Sequence, residues 1–267
     1  MRQFQLLFLA GMMIIFISCQ DHHTHVPVVE SKSFPEGQVS FDTSISQRLL
    51  ADSLQQFSEN QQNDSLMEME LSSLNRLFER LKQSPSDSLW GELQTRWENF
   101  HNEAGANGQS DIAPGSLSNR VIKKWAELNA DLLKFSGEAK FAEALEKMLY
   151  AKTQPALSKE LLKSVIYTHI FDQIFIHIPV TSSVSFQHTT GGNVKLIQQY
   201  DPSKKEMILK CECSDTRFLD LFIRIPSDAV NPTVNHGNVK YVALPGEYCE
   251  ISRKWKNGDE IRVLLKN

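Results

Sequence analysis

The side chains best suited to chemistry are few and scattered. Cysteine occurs at positions 19, 211, 213 and 249, and none lies between Cys19 and Cys211. Cys211 and Cys213 form a C-x-C pair, which on a strand sends both thiols to one face, where Cys249 could approach from a neighbouring strand. Zinc binding, a disulfide from Cys249 to one of the pair and buried unpaired thiols all fit this pattern, and the disulfide suits an oxidising compartment better than zinc does. Asp21, His22, His23 and His25 make a DHHTH run whose neutral imidazoles could hold a transition metal. A polar tract offers no second shell to orient them, so a solvated linker is expected instead. His169, His177, His188 and His236 lack metal-ligand spacing and are expected to be structural. Glu138, Lys140, Glu143 and Lys147 read as a solvated face with local ion pairs, not as catalytic carboxylates. No metal centre and no cofactor is expected.

Two kinds of segment must position these residues. From Thr43 to about Lys163 the apolar period is helical: Leu49, Leu50, Leu54 and Phe57 mark one stripe, and Leu71, Leu74, Leu77, Phe78 and Leu81 a second after Asn63 and Asp64. Trp90, Trp97 and Phe100 recur at near-helical spacing and are expected in the core, not as a sugar platform. Val121, Trp125, Leu128, Leu132 and Phe135 form a further stripe closed by Ser136 and Gly137, followed by Phe141, Leu145, Met148 and Leu149. After about Ser164 the period falls to two. Ile174, Ile176 and Ile178 alternate, as do Leu219, Leu221, Ile223 and Ile225, with similar runs at 194–200, 206–213, 247–253 and 260–266. Gly191-Gly192, Asp201-Pro202, Asn235-His236-Gly237, Pro245-Gly246 and Asn257-Gly258-Asp259 punctuate the runs. Helices first and strands afterwards make an α+β chain, a helical domain at 43–164 followed by an antiparallel β-sandwich at 165–267. A chain of 267 residues, 41% hydrophobic and 22% charged, can build a proper core. The net charge of −4 carries no basic footprint, so nucleic acid is excluded as a partner.

The first 18 residues have the layout of a secretory signal. Arg2 supplies the positive end, and Leu6 to Ile17 form an apolar run well short of the ~20 residues a membrane-spanning helix needs. The FISC run ending at Cys19 resembles the lipobox of bacterial lipoproteins, which implies lipid attachment at Cys19, a membrane lipid anchor and a place in the cell envelope, on the periplasmic or surface side. Several acyl chains would make that anchor stable, since each buried methylene contributes ~0.8 kcal/mol. Residues 19–42, polar with scattered Pro and Gly, are expected to be a flexible tether.

Two blocks carry a wider resemblance: LLKFSGEAKFAEALEKMLYA at 132–151, and FLDLFIRIPSDA from 218 continuing to GEYCEISRKWKNGDEIRVLL, ending at 265. Across roughly 103–265 the chain resembles glycoside hydrolase family 127, the bacterial β-L-arabinofuranosidase-like family. The resemblance implies an α/α-toroid followed by β-sandwich domains, a toroid this chain has room for only in incomplete, truncated form. It also implies a Glu-x-Cys motif and a Cys-Cys pair that bind zinc, one cysteine being the nucleophile. Those motifs fall near Ser118 to Arg120 and between Tyr150 and Gln154, where there is no cysteine. Ser is a poor zinc ligand and Arg a fixed cation, so the thiolate chemistry cannot be assembled there. The family's acid/base glutamate follows a Gly-rich turn, and GANGQSD at 105–111 places Asp111 at that position, a candidate substrate contact with a shorter arm. With no catalytic residue assigned, the expectation is a catalytically inactive, glycoside-hydrolase-like lipoprotein with glycan contact. The alternatives are a structural lipoprotein that binds another envelope protein and no sugar, and a hydrolase with an altered mechanism resting on two carboxylates about 5–9.5 Å apart, a pair the sequence does not reveal.

Overall fold

The computed structural model describes residues 30–42, 61–103, 118–150 and 157–266. Five helices lie among them: α1 (Gln61–Gln83), α2 (Asp87–Glu103), α3 (Asn119–Ser136), α4 (Ala139–Leu149) and α5 (Lys159–Ile166). Their ends follow the expected local chemistry. The Ser118 hydroxyl accepts from the Val121 amide at the start of α3, and the Ser158 hydroxyl does the same for Leu161 at the start of α5. Gly137 closes α3 at φ 69°, its amide donating to the Leu133 carbonyl at 2.7 Å, a left-handed cap that a side chain would strain.

The aromatic stripes of α2 and α3 interlock in the helical core, as their spacing predicts. Trp97 stacks on Trp125 with ring centres 5.6 Å apart and meets Phe141 edge-on at 5.1 Å. Its indole N–H donates to Asn129 Oδ1 at 2.9 Å, while the Asn129 amide donates to the Trp125 carbonyl, so this buried polar side chain is satisfied.

Strands follow helices. Sheet A has the order β1 (Lys32–Ser33), β3 (Tyr167–Ile170), β4 (Gln173–Ile176), β8 (Arg217–Arg224) and β11 (Tyr248–Trp255). Sheet B runs β10 (Val239–Tyr241), β9 (Thr233–His236), β12 (Glu260–Leu264), β7 (Glu206–Cys213), β6 (Asn193–Asp201), β5 (Ser182–Gln187) and β2 (Val39–Phe41). The sheets pack face to face: the Tyr167 hydroxyl meets the Ser182 hydroxyl at 2.8 Å, and Cys213 Sγ lies 3.8 Å from the Trp255 carbonyl oxygen. Among the described residues every ladder is antiparallel except β4 with β8, which runs parallel with Gln173 opposite Asp220 and Phe175 opposite Phe222. The inner faces carry the expected alternation, with Ile174, Ile176, Leu219, Leu221, Ile223 and Ile251 buried.

The tether expectation for 19–42 needs correction over its second half. Residues 32–33 and 39–41 are edge strands of sheets A and B, pairing with β3 and β5. Phe34 is buried between them, its ring 4.6 Å from His169 and 5.4 Å from Phe186. Burial of one aromatic side chain and of Val39, with backbone pairing on both sides, gives this polar segment the apolar contacts a free linker lacks.

Candidate functional site

Strands β4 and β8 run side by side in the same direction, so their outward side chains form a double row on the outer face of sheet A. In the centre Gln173 stands beside Asp220, with Gln173 Nε2 donating to Asp220 Oδ2 at 3.5 Å. One step along, half-buried Phe175 and Phe222 stack with ring centres 4.6 Å apart and an interplanar angle of 14°, and Tyr248 of β11 meets Phe175 edge-on at 5.8 Å. One step in the other direction Phe218 is 52% exposed. Level with it, in the turn that leads into β4, Phe171 is 79% exposed and held at φ 53°. A bulky side chain in the left-handed region costs about 1–3 kcal/mol, so the turn holds this ring in solvent at the expense of local strain. Two aromatic stations thus flank an amide–carboxylate station. Glu250, opposite Phe222 on β11, adds a second carboxylate, with the Ser252 hydroxyl donating to it at 2.9 Å.

The row ends in a closed seam against α4. The next positions are His177 and Arg224, both buried. Arg224 Nε donates to the His177 carbonyl oxygen at 2.6 Å, and its Nη2 forms a short ion pair with Glu146 of α4. The His177 ring spans Thr168 Oγ1 at 2.7 Å and the Tyr248 hydroxyl at 2.5 Å. Burial, reinforced by the Arg224 cation, pulls the imidazole pKa down to about 3, so the ring is neutral at physiological pH and a weak base. Burial pushes the Tyr248 hydroxyl well above its ordinary value. Beside this pair, Glu143 accepts from Ser227 Oγ at 2.6 Å and lies 3.0 Å from Lys147. Burial alone would raise its carboxyl, but hydrogen bonds from Ser227 and Lys147 and the charges of Lys147 and Arg224 leave it below the usual value. Glu143 is therefore a clasp between α4 and the sandwich and not part of a free solvated face. The seam locks helix to sheet, and the aromatic row beyond it is open.

Sheet B carries a second recess on its outer face, about 600 Å³, lined by Ser185, Gln187, Asn193, Lys195, Glu212 and Asn257 among others. Its walls mix these polar side chains with Phe186, Val194 and Cys213, and it has no exposed ring.

Cys211, Cys213 and Cys249 are all buried and free, so no disulfide joins them. Cys213 lies against Trp255 at one end of β11, whereas Cys249 is six residues away on that strand, ~20 Å at ~3.3 Å per residue. Cys211 is only two residues from Cys213, so neither thiol comes within the ~7 Å Cα separation a disulfide tolerates. Burial, with a contribution from Cys213, pushes the Cys211 thiol up to about 12, and burial pushes Cys249 to about 11, making both inert. Among the described residues no group of three or more His, Cys, Asp or Glu is placed to hold a metal. Cys19, the DHHTH run and Asp111 lie outside the described residues, as do positions 151–154 of the expected Cys-Cys interval. Ser118 caps α3, and Arg120 pairs with Glu68 at 2.9 Å. His188 bonds to the Phe218 carbonyl oxygen and to Thr190 Oγ1, and His236 to the Glu260 carbonyl oxygen, structural roles as expected.

The structure also shows a carboxylate pair missed in the sequence. Asp220 faces Ser252 and Phe222 faces Glu250, so Asp220 and Glu250 occupy diagonal cross-strand positions, ~7–8 Å apart at the backbone. Both stand on an open sheet face, whereas general-acid work depends on enclosure.

Residues 173–266 match the family described as beta-L-arabinofuranosidase, GH127 middle domain. Over this stretch the chain is a divergent relative of GH127. The GH127 match starts at the first residue of β4 and takes in Phe175, Asp220, Phe222, Tyr248 and Glu250, while the helices, β1 to β3 and Phe171 fall outside it. Solved structures similar to this chain include a glycoside hydrolase (17% identity, TM-score 0.48), covering 55% of this chain and 32% of that one. They also include a GH127 beta-L-arabinofuranosidase from Geobacillus stearothermophilus T6 (17%, TM-score 0.46, 55% and 31%). A GH127 beta-arabinofuranosidase is similar to the same degree (17%, TM-score 0.47, 55% and 32%). The chain thus spans about a third of the length of each. No curated protein matches it.

Proposed function

We propose that this chain is a lipid-anchored envelope protein that holds glycans without cleaving them. The observation that carries the reading is the open row on sheet A, where the stacked pair Phe175 and Phe222 adjoins Gln173, Asp220 and Glu250. Sugar rings present one apolar face of C–H groups and a rim of hydroxyl donors, so an aromatic surface edged by acceptors is complementary to both. The relationship to GH127 agrees with a carbohydrate context. The stretches onto which the family's Glu-x-Cys motif (Ser118 to Arg120) and Cys-Cys pair (Tyr150 to Gln154) map hold no cysteine, which supports binding without hydrolysis. Anchoring rests on the lipobox-like run ending at Cys19.

The test is a combined binding and turnover screen of the chain carrying Cys19→Ser, against arabinofuranose-containing and other plant and bacterial glycans. Retention of a glycan without release of reducing ends is the expected result. Release of sugar that Asp220→Asn or Glu250→Gln abolishes would overturn the non-hydrolytic reading in favour of an altered mechanism.

One further observation favours a protein partner. Val239, Val242 and Leu244 are exposed along β10, an edge strand of sheet B, and the segment after it. An apolar edge of this kind suits strand addition by another chain. If every glycan in the screen fails to bind, this surface becomes the leading site.

A further inference from the structure

The two aromatic stations are too far apart for one sugar. Phe218 and Phe222 are four residues apart on the same face of β8, ~13 Å at ~3.3 Å per residue, with Asp220 between them. Along this line accessibility is graded. Phe218 is exposed, Asp220 and Phe222 are half-buried, and Arg224 is covered by α4, so the row is a track open at one end and walled at the other by Tyr248, His177 and Arg224. Phe171, in the turn before β4, is also exposed toward this end of the strand, at φ 53°.

We infer that the occupant is a linear, neutral oligosaccharide lying along β8, its chain spanning both aromatic stations, and not a single sugar or an acidic polysaccharide. This rests on the glycan-binding reading and adds length and charge to it. A chain bridging the stations stacks on Phe175 and Phe222 near the wall and on Phe218 and Phe171 at the open end, with its hydroxyls over Gln173 and Asp220. The charges select against anions. Asp220 and Glu250 flank the middle and inner stations, Arg224 is neutralised by Glu146 beneath the helix, and Lys254 stands opposite Phe218 at the open end only. Carboxylates accept from hydroxyls but repel uronates, sulfates and phosphates.

The experiment is calorimetric titration of the full chain, in detergent micelles, with arabinan, xylan and β-glucan oligosaccharides of graded length from single sugars to hexasaccharides, and with polygalacturonate. Affinity is expected to rise at least about tenfold from single sugar to hexasaccharide. Phe218→Ala, at an exposed position that leaves the core untouched, is expected to weaken hexasaccharide binding about tenfold and disaccharide binding by much less. Polygalacturonate is expected to bind only after Asp220→Asn and Glu250→Gln are combined. Equal affinity for single sugars and hexasaccharides, insensitivity to Phe218→Ala, or polygalacturonate binding by the unaltered chain each overturns this inference while leaving glycan binding standing. Binding of no glycan at any length overturns both.

Discussion

Replacing His177 should change the way stability depends on pH. Folding holds this ring neutral with a pKa of about 3, against 6.5 for an ordinary histidine. As pH falls below 6.5 the unfolded chain takes up a proton that the folded chain refuses. The neutral ring's contribution is therefore fully present above pH 6.5 and is lost as pH falls toward 3. The loss grows by ~1.4 kcal/mol per pH unit, so about 2 kcal/mol disappears between pH 6 and pH 4.5, and at most about 4–5 kcal/mol over the whole window. Urea unfolding of the wild type and of His177→Gln at pH 7, 6, 5 and 4.5 provides the test. The variant should be less stable at pH 7, because the bonds to Thr168 and Tyr248 are disturbed, but its stability should fall less steeply by about one proton. Titrating carboxylates and the other histidines contribute equally to both proteins and cancel in the difference. Parallel profiles for the two proteins over this range would show that His177 is accessible to protons in the folded state and would refute the account of the seam.

Three further outcomes follow from the same physics. Glu146→Gln leaves the Arg224 guanidinium buried without its counter-charge and should cost about 3–5 kcal/mol in urea unfolding, much of which Glu146→Leu combined with Arg224→Met should recover. Thiol reagents at pH 8 should leave Cys211, Cys213 and Cys249 unmodified in the folded chain and label all three in denaturant; a mass lower by the two hydrogens of a disulfide would overturn this. Gly137→Ala forces a Cβ into the left-handed cap of α3 and should lower stability by about 1–2 kcal/mol, visible as a shift in the urea midpoint with unchanged slope.

The regular parts of the chain were legible because long apolar periods average out local ambiguity. The run at 206–213 coincides with β7, and Gly137 closes α3 where the Ser-Gly signal stands. The strands β1 and β2 were not legible. Two- and three-residue strands have no period to detect, and Pro35 and Gly37 between them are also what a linker would contain. The aromatic track was hidden for a different reason. Alternation in the 174–178 run identifies Ile174, Ile176 and Ile178 as the buried set and so implies that Phe175 points outward, but only the pairing of β4 with β8, 47 residues away, places it beside Phe222. Glu146 and Arg224 are 78 residues apart, and as isolated charges they give no sign of each other. The positive φ of Phe171 has no local signal at all, since the turn chemistry that favours it calls for Gly or Asn.

The parallel pairing of β4 and β8 also governs how the molecule is made. Between these neighbours the chain leaves sheet A, lays down β5, β6 and β7 in sheet B, and returns. The ladder that sets Phe175 on Phe222 therefore closes a long loop, whose entropy must be overcome before the contact stabilises anything. No partly folded species with only the β3–β4 hairpin or the β8–β11 ladder presents the double row. The ability to grip an extended ligand thus depends on a long-range pairing, and recovery of binding during refolding would report closure of the β4–β8 ladder and not of a local hairpin.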